Sequence, residues 1–287
     1  MNEKLVLEPK TAAKLLAFAS NPTHALIIFG AQGAGKLSVA QNLITEILGL
    51  KCGSELEKYP YFKVVSPEKS TISIESIREL QKFFQLKTLG VGKLRRAVIV
   101  EDAHSLTTEA QNAFLKLLEE PPADTIIILT CSDKQKLLPT ILSRAQSLAL
   151  AKPDEQTLKL FFGQDSAKVN QMYYLSGGLP GLMSTLLLDA DHPLALAAKQ
   201  AKDLLALTTF DRVCRVEQLS RDKENFKLVL QSLSGIARIC IVQAAKTSND
   251  TPIKQWHKIL KLSAECANAL EKNANTKLVA TNLLLGL

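Results

Sequence analysis

The stretch Gly30-Ala31-Gln32-Gly33-Ala34-Gly35-Lys36-Leu37 lies between an apolar run, Ala25 to Phe29, and a segment whose apolar residues recur with helical spacing. This order predicts a β-strand, a glycine-rich loop and an α-helix, which together form a phosphate-binding loop. Glycines allow backbone N–H groups to turn inward around an anion, and the N-terminus of the following helix adds positive potential. The predicted phosphate-binding residues are Gly30, Gly33, Gly35 and Lys36, whose ammonium group would reach the outer phosphates.

The residue after Lys36 departs from the phosphate-binding pattern. That pattern has Ser or Thr there, because the hydroxyl is a Mg²⁺ ligand, whereas this chain has Leu37. Ser38 does not simply replace it, since one residue along a helix turns a side chain by roughly 100°. The sequence therefore predicts a loop without its metal ligand, and it leaves open whether ATP, ADP or nothing occupies the loop.

Length and composition restrict the class of protein. The chain has 287 residues, which exceeds the usual size of one compact domain and predicts two or three domains. The N-terminal residues form no signal-peptide core and no apolar run reaches the ~20 residues of a membrane span, so we expect a cytoplasmic protein. The five cysteines are widely spaced, which predicts reduced thiols and no zinc site. A net charge of +7 is compatible with polyanionic partners.

Apolar runs and helical patterns alternate along the first half of the chain, without a hairpin signal. This alternation predicts an α/β fold with a parallel, doubly wound sheet and ligands at the carboxyl ends of its strands. Residues 51–58 are predicted to be a polar connection. Past residue 150 only helical periodicity remains, so we predict an α/β domain over 1–152, a small helical domain over 153–190 and an all-helical domain over 191–287. The predicted strands are 25–29, 61–65, 97–100 and 125–129.

Two acidic residues, Glu101 and Asp102, follow the third predicted strand. In nucleotide hydrolases an Asp at this place orients Mg²⁺ and the next Glu activates the attacking water, but here the order is reversed. Each carboxylate is then displaced by about 1 Å, and misplacement on that scale lowers a rate on the order of 10². We therefore predict both residues near the nucleotide site, with weak or absent hydrolysis. The alternative is a pair of solvated acids at a strand end.

Two further residues are candidates at the edge of the sheet domain. Ser132 follows the fourth predicted strand, where its hydroxyl would lie near a γ-phosphate, although strand-end hydroxyls without a ligand are commonplace. Arg144 follows a short segment from Leu137 to Leu142, where its guanidinium group would reach a neighbouring subunit. An arginine in that role accelerates phosphoryl transfer by roughly 10³ to 10⁵. Taken alone, Arg144 is better explained as a surface residue in an ion pair.

A basic cluster, Lys93, Arg95 and Arg96, precedes the third predicted strand. Such residues are able to contact a nucleic-acid backbone. Basic residues ahead of a buried strand are more often only solvated, so we predict that these side chains are exposed.

The longest motif is the run Glu109-Ala110-Gln111-Asn112-Ala113-Phe114-Leu115-Lys116-Leu117-Leu118-Glu119-Glu120-Pro121-Pro122, and Thr140-Ile141-Leu142-Ser143-Arg144 comes after it. Together with Ile74 to Leu80 and the C-terminal segment from Ala269, these residues resemble the AAA+ clamp-loader family of bacterial DNA polymerase III, and within it the delta-prime subunits. The first run is similar to the family's A-x-N-A-L-L-K-x-L-E-E-P-P motif. The second is similar to its S-R-C motif, with Ala145 in place of the cysteine.

This resemblance implies an AAA+ module followed by a helical lid and a helical collar that assembles with related subunits. It implies that Arg144 is an arginine finger, which completes the ATP site of a neighbouring subunit. It also implies that two departures disable the chain's own site, since Leu37 replaces the metal ligand and Leu182 replaces a phosphate-sensing arginine of the lid. The family's cysteine-rich zinc module is absent after the loop helix, so no zinc is expected.

The function implied by the resemblance is that of a non-hydrolysing delta-prime-like subunit in DNA replication. Its expected partners are gamma/tau-type ATPase subunits and a delta-type subunit. The assembled complex would contact the sliding clamp and primed DNA. No membrane is expected to be involved. We expect it to be cytoplasmic, associated with the nucleoid, and to require no cofactor. Two alternatives stay open: a working ATPase in which Ser38, a water or the swapped carboxylates manage the metal, and a nucleotide-free scaffold in which Arg144 has no role.

Overall fold

The computed structural model describes residues 5–89, 92–163, 167–189, 191–246 and 250–287. The chain divides into two compact units, Met1–Asp154 and Glu155–Leu287. The first unit contains a β-sheet with helices, and the described part of the second unit is helical.

The first unit is built on a parallel sheet of five strands. The strands are β1 Ala25–Phe29, β2 Phe62–Val65, β3 Arg96–Val100, β4 Thr125–Cys131 and β5 Gln146–Ala149. Their order in the sheet is β2-β3-β4-β1-β5. Every residue of β3 and β4 is buried, as expected for central parallel strands covered on both faces, and this explains their continuous apolar runs. The predicted parallel α/β fold is confirmed.

Helices cover both faces of this sheet. They are α1 Pro9–Ser20, α2 Lys36–Ile47, α3 Gly53–Glu57, α4 Ile74–Phe84, α5 Thr108–Glu119 and α6 Pro139–Leu142. Because successive side chains of a strand point to opposite faces, Ile27 and Val98 join an apolar cluster with α4, α5 and α6. Ile28 and Ile99 join the opposite cluster, with α1, α2 and α3. We call this second group the α2 cluster. Burial of apolar surface on both faces stabilises the unit.

Two elements of the first unit differ from the prediction. Residues 51–58 are not merely a polar connection, because they contain α3, whose Leu56 is buried in the α2 cluster. A helix with one buried residue has too little apolar periodicity to be predicted. The sequence pattern also does not predict β5, because Leu148 is the only buried residue of this edge strand. β5 lacks the continuous apolar run that marked the other strands.

The basic cluster before β3 is not uniformly solvated, and the prediction for Arg96 is wrong. Lys93 is exposed and Arg95 is half-buried, but Arg96 is only 2% exposed. Its Nη1 donates a hydrogen bond to the carbonyl oxygen of Phe84 at 3.0 Å, and its Nη2 donates to that of Leu86. These carbonyls lie at the end of α4, where a helix leaves acceptors unpaired and a cation is favoured.

The second unit is helical throughout its described residues. Its helices are α7 Glu155–Phe162, α8 Ala167–Leu175, α9 Pro180–Leu188, α10 Pro193–Ala206, α11 Thr209–Cys214, α12 Val216–Arg221, α13 Lys223–Lys246, α14 Asp250–Glu271 and α15 Thr276–Gly286. One apolar cluster joins α8, α9 and α10, and another joins α10, α12, α13, α14 and α15. The predicted division between lid and collar falls at Ala190, outside the described residues. The domain limits at 152 and 190 stay predictions.

One helix of the described residues, α13, is long and apolar enough over Lys223–Ala245 to cross a membrane, by length and composition alone. The sequence analysis predicts no such span. In the second unit the apolar side of α13 is covered by other helices, because Phe226, Leu230 and Leu233 are buried in a cluster shared with α14 and α15. A helix at the centre of a folded domain is as apolar as a membrane span. Because these residues are buried by other helices, we interpret α13 as a core helix.

Candidate functional site

The loop from Gly30 to Gly35 connects β1 to α2. Gly33 and Gly35 have φ angles of 81° and 82°, a left-handed conformation that residues with a side chain rarely adopt. A Cβ atom at Gly30 would lie 3.2 Å from Leu150 Cβ, so the loop also passes close to its surroundings. Gly35 is the N-cap of α2. The glycines therefore form a tight turn in front of a helix N-terminus, which is the geometry of an anion-binding loop.

Lys36 is buried beside this loop. Its Nζ donates hydrogen bonds to the carbonyl oxygens of Gly30 and Ala31, each at 3.0 Å, and to Ser132 Oγ at 2.8 Å. These three acceptors match the three N–H donors of an ammonium group. Burial lowers the pKa of Lys36, and the negative charge of Asp102 opposes that shift. A bound phosphate would replace some of these contacts.

Leu37 occupies the place of the metal-ligating hydroxyl in hydrolytic loops. Its side chain is half-buried and packs against the α2 cluster. Ser38, the next residue, is exposed to solvent. An aliphatic side chain offers no oxygen to a hard cation such as Mg²⁺.

We expect Leu37→Thr to destabilise the chain without creating ATP hydrolysis. The substitution replaces a packed aliphatic side chain by a smaller polar one, which lowers the free energy of unfolding by about 1 kcal/mol. Urea denaturation and an ATP hydrolysis assay of the isolated variant measure the two effects. The exposed Ser38→Ala is the matched control, with a change within about 0.5 kcal/mol. Turnover of ATP by the Leu37→Thr chain would contradict this prediction.

Glu101 and Asp102 follow β3 but contact different partners. Glu101 Oε2 accepts a hydrogen bond from Ser66 Oγ at 2.8 Å, on the side of β2. Asp102 has a left-handed backbone with a φ of 44°, and its N–H donates to Thr130 Oγ1 at 3.0 Å. Its carboxylate lies 3.8 Å from His104 Nδ1. The two acids therefore do not act as one pair.

The structure brings three of the predicted site residues into one polar cluster, which consists of Lys36, Asp102, Ser132 and His104. Ser132 accepts the hydrogen bond of Lys36, and its N–H donates to His104 Nδ1 at 3.5 Å. His104 Nδ1 accepts this hydrogen bond and also lies near the Asp102 carboxylate, whereas Glu101 is hydrogen-bonded to Ser66 on the β2 side. His104 could not be predicted as a site residue, because it lies in a short 3₁₀ turn, Ala103–Ser105, rather than directly at a strand end.

Arg144 lies just after α6. Within the described residues, it contacts α5 and residues 137–144, which contain α6 and which we call the α6 segment. Within that part of the chain it does not contact the glycine loop. Its Nη1 donates to the carbonyl oxygen of Thr140 at 3.0 Å and contacts Ser143 Oγ at 3.4 Å. Its Nη2 lies 2.7 Å from Glu119 Oε1. The side chain is 35% exposed, so the guanidinium group is fixed at the surface of the first unit.

Gln111 of α5 holds the segment that leads into α6. Its Nε2 donates to the carbonyl oxygens of Leu106 at 3.3 Å and Lys136 at 3.0 Å, and its Oε1 accepts from the N–H of Leu138 at 2.8 Å. Leu138 is the N-cap of α6. The sequence analysis did not assign a role to Gln111 or to Glu119, although their place in the long run of α5 was a signal.

The described residues contain no group of three or more His, Cys, Asp or Glu side chains that could hold a metal ion. The cysteines are free thiols, and burial raises the pKa of Cys131, Cys240 and Cys266. Such thiols stay protonated and are poor metal ligands. The expected absence of zinc stays a prediction.

Several proteins similar to this chain are subunits of DNA polymerase III by name. Residues 16–154 match the family described as DNA polymerase III, delta subunit. The delta-prime subunit of DNA polymerase III from Pseudomonas aeruginosa is 29% identical over 55% of this chain and 53% of its own length. That of Bacillus subtilis is 34% identical over 44% of this chain and 41% of its own length. These matches confirm the resemblance of the first unit to clamp-loader delta-prime subunits.

The matched part of the chain lies within the first unit, and the chain spans about half the length of the curated relatives it matches. A solved structure extends the similarity in fold. The DNA polymerase III gamma subunit-related protein of Thermotoga maritima aligns with 96% of this chain and 97% of its own, with a TM-score of 0.55 and 20% identity. This likeness concerns the fold alone, and it includes the helical second unit. The predicted architecture, a parallel sheet followed by helices, is confirmed.

Leu182 is the second residue that departs from the hydrolytic pattern implied by the resemblance. It lies in α9, is half-buried, and packs against the apolar cluster of α8, α9 and α10. A leucine that packs in this way provides no positive charge for a phosphate group.

Proposed function

We propose that this chain is a non-hydrolysing, delta-prime-like subunit of a DNA polymerase III clamp loader. In this role it supplies Arg144 as an arginine finger to the ATP site of a neighbouring gamma/tau-type subunit during sliding-clamp loading. The observation that carries the proposal is the packing of Leu37 against the α2 cluster, where a hydrolytic loop has its metal-ligating hydroxyl. A subunit that does not hold Mg²⁺ in its own loop contributes to hydrolysis only at another subunit's site.

Two further features support the loss of hydrolysis in the chain itself. Glu101, which occupies the place of the metal-orienting Asp, is hydrogen-bonded to Ser66. Leu182 replaces a cation in the lid and packs in an apolar cluster. Metal binding is therefore weakened by Leu37 and Glu101, and phosphate sensing is weakened by Leu182.

The surroundings of Arg144 support the second half of the proposal. A guanidinium group at the surface is available to an adjoining molecule, and its planar fork of donors suits phosphate oxygens. Arg144 is partly exposed and is held by α5 and the α6 segment. In this position it adds positive charge to a neighbour's site instead of neutralising a phosphate in its own loop.

The partners follow from this role. We propose gamma/tau-type and delta-type subunits as direct partners, with the sliding clamp and primed DNA engaged by the assembled complex. The net charge of +7 is compatible with work close to a polyanion. The place of action is the cytoplasm at the nucleoid. The role requires no zinc and no ATP or ADP in the chain's own loop.

ATP hydrolysis by the chain alone and in the complex tests this proposal. The purified chain is assayed alone, and the gamma/tau-type and delta-type subunits of the same organism are assayed with and without it on primed DNA. We expect no turnover by the chain alone and DNA-stimulated turnover that depends on adding it. Hydrolysis by the chain alone that is lost in Lys36→Ala would favour the alternative of a working ATPase. If the gamma/tau-type and delta-type subunits hydrolyse ATP equally well with and without this chain, the proposal is contradicted.

A further inference from the structure

Glu119, the last residue of α5, holds one side of the Arg144 guanidinium group. Its Oε1 lies 2.7 Å from Nη2, while Nη1 faces the carbonyl oxygen of Thr140 and the hydroxyl of Ser143 on the other side. An Arg side chain without such partners samples many rotamers. These contacts therefore restrict the guanidinium group to one orientation at the surface.

We propose that Glu119 is a positioning residue for the arginine finger. This inference rests on the proposed function of Arg144. A cation stabilises phosphoryl transfer most when it is already in place, because ordering it during the reaction raises the barrier. The contacts of Arg144 leave its Nε without a hydrogen bond to any residue in the described ranges. Nε and the second hydrogen of Nη2 stay available for an oxygen of the neighbour's phosphate.

The backbone beneath Glu119 is itself held in place. The N–H of Glu120 donates to the carbonyl oxygen of Lys116 at 3.3 Å and closes the last turn of α5. The two prolines that follow restrict the chain further, because each fixes its own φ and limits the residue before it. Gln111 ties α5 to the start of α6. Glu119 and Arg144 thus stand on elements that are linked at two points, by Gln111 and by the ion pair itself.

The size of the effect follows from the exposure of the pair. The side chains of Arg144 and Glu119 are 35% and 48% exposed, and exposed ion pairs contribute little on their own. We therefore expect loss of the Glu119 side chain to lower kcat of the complex about fivefold. This effect is much smaller than the one expected from loss of the Arg144 guanidinium group. Glu120 offers a matched control, because it is the neighbouring exposed acid and pairs with no cation among the described residues.

The test uses a complex in which Arg144 is the only finger. In this complex the ATPase subunits carry alanine at their own finger positions. Six forms of this chain are compared: the wild type, Glu119→Ala, Glu119→Gln, Glu120→Ala, Arg144→Ala and the Glu119→Ala/Arg144→Ala double variant. The measurement is kcat and KM for ATP on primed DNA, after size-exclusion chromatography has shown that each complex assembles. We expect Glu119→Ala to lower kcat about fivefold with KM unchanged. Glu119→Gln restores part of the loss, Glu120→Ala has no effect, and Glu119→Ala adds nothing to Arg144→Ala.

The outcomes separate this inference from the proposed function. If Arg144→Ala leaves kcat unchanged, the proposed function fails and the inference fails with it. If Arg144→Ala lowers kcat but Glu119→Ala does not, the inference alone is overturned. A higher kcat in Glu119→Ala also overturns it, since Glu119 would then restrain the finger. An equal loss in Glu120→Ala would show a general effect of charge and would likewise overturn it.

Discussion

Arg144→Ala is expected to lower ATP hydrolysis about 10³-fold at the site that adjoins this chain, the lower end of what an arginine finger contributes to phosphoryl transfer. The physical reason is that charge develops on the transferred phosphoryl group, and a fixed guanidinium group stabilises that charge in a site with little water. Arg144 is partly exposed and is fixed by Glu119 and Thr140, so it meets the structural requirement for acting outside its own chain. The measurement is kcat of the complex in which Arg144 is the only finger.

Two control variants make this result specific to the guanidinium group. Arg144→Lys keeps the charge but loses the planar fork of donors, so we expect it to recover only a small part of the rate. Lys136→Ala removes an exposed positive charge from the segment before α6 and is expected to leave kcat unchanged, because its ammonium group lies 4.0 Å from Asp133 and not beside Arg144. An unchanged kcat in Arg144→Ala would instead favour the nucleotide-free scaffold.

The sheet and the glycine loop could be predicted because their signals are local in the sequence. A buried parallel strand such as β4 is apolar at nearly every position, and the loop from Gly30 to Lys36 is one continuous motif. β5 and α3 could not be predicted in the same way, because each buries one residue and therefore leaves no pattern.

The contacts that organise the candidate site could not be predicted, because they join residues far apart in the chain. Ser132 meets Lys36 across a separation of 96 residues, and Leu138 meets Gln111 across 27. The different partners of Glu101 and Asp102 depend on the left-handed turn at Asp102, a conformation that an Asp adopts only sometimes. The sequence indicated which side chains were available, and the fold determined which of them meet.

Arg96 shows why a charged residue before a strand cannot be assumed to be solvated. Its guanidinium group is buried between β3 and the end of α4, with donors to the carbonyl oxygens of Phe84 and Leu86. Its carbon atom Cζ lies 5.7 Å from the centre of the Phe84 ring, and Nη1 lies 4.0 Å from Asp124. Burial of a charge is unfavourable unless hydrogen bonds and an opposite charge compensate for it, and here both are present.

Arg96→Leu is therefore expected to lower the free energy of unfolding by about 3 kcal/mol, because the carbonyl oxygens of Phe84 and Leu86 lose their donor and Asp124 loses a cation. Arg96→Lys should lower it by roughly half as much, since one ammonium group replaces the fork that contacts both carbonyls. Urea denaturation followed by circular dichroism measures the change, and hydrogen exchange at the end of α4 locates it. The exposed Lys93→Ala is the matched control, with a change within about 0.5 kcal/mol. If Arg96→Leu unfolds at the same urea concentration as the wild type, the buried guanidinium group does not hold α4 to the sheet.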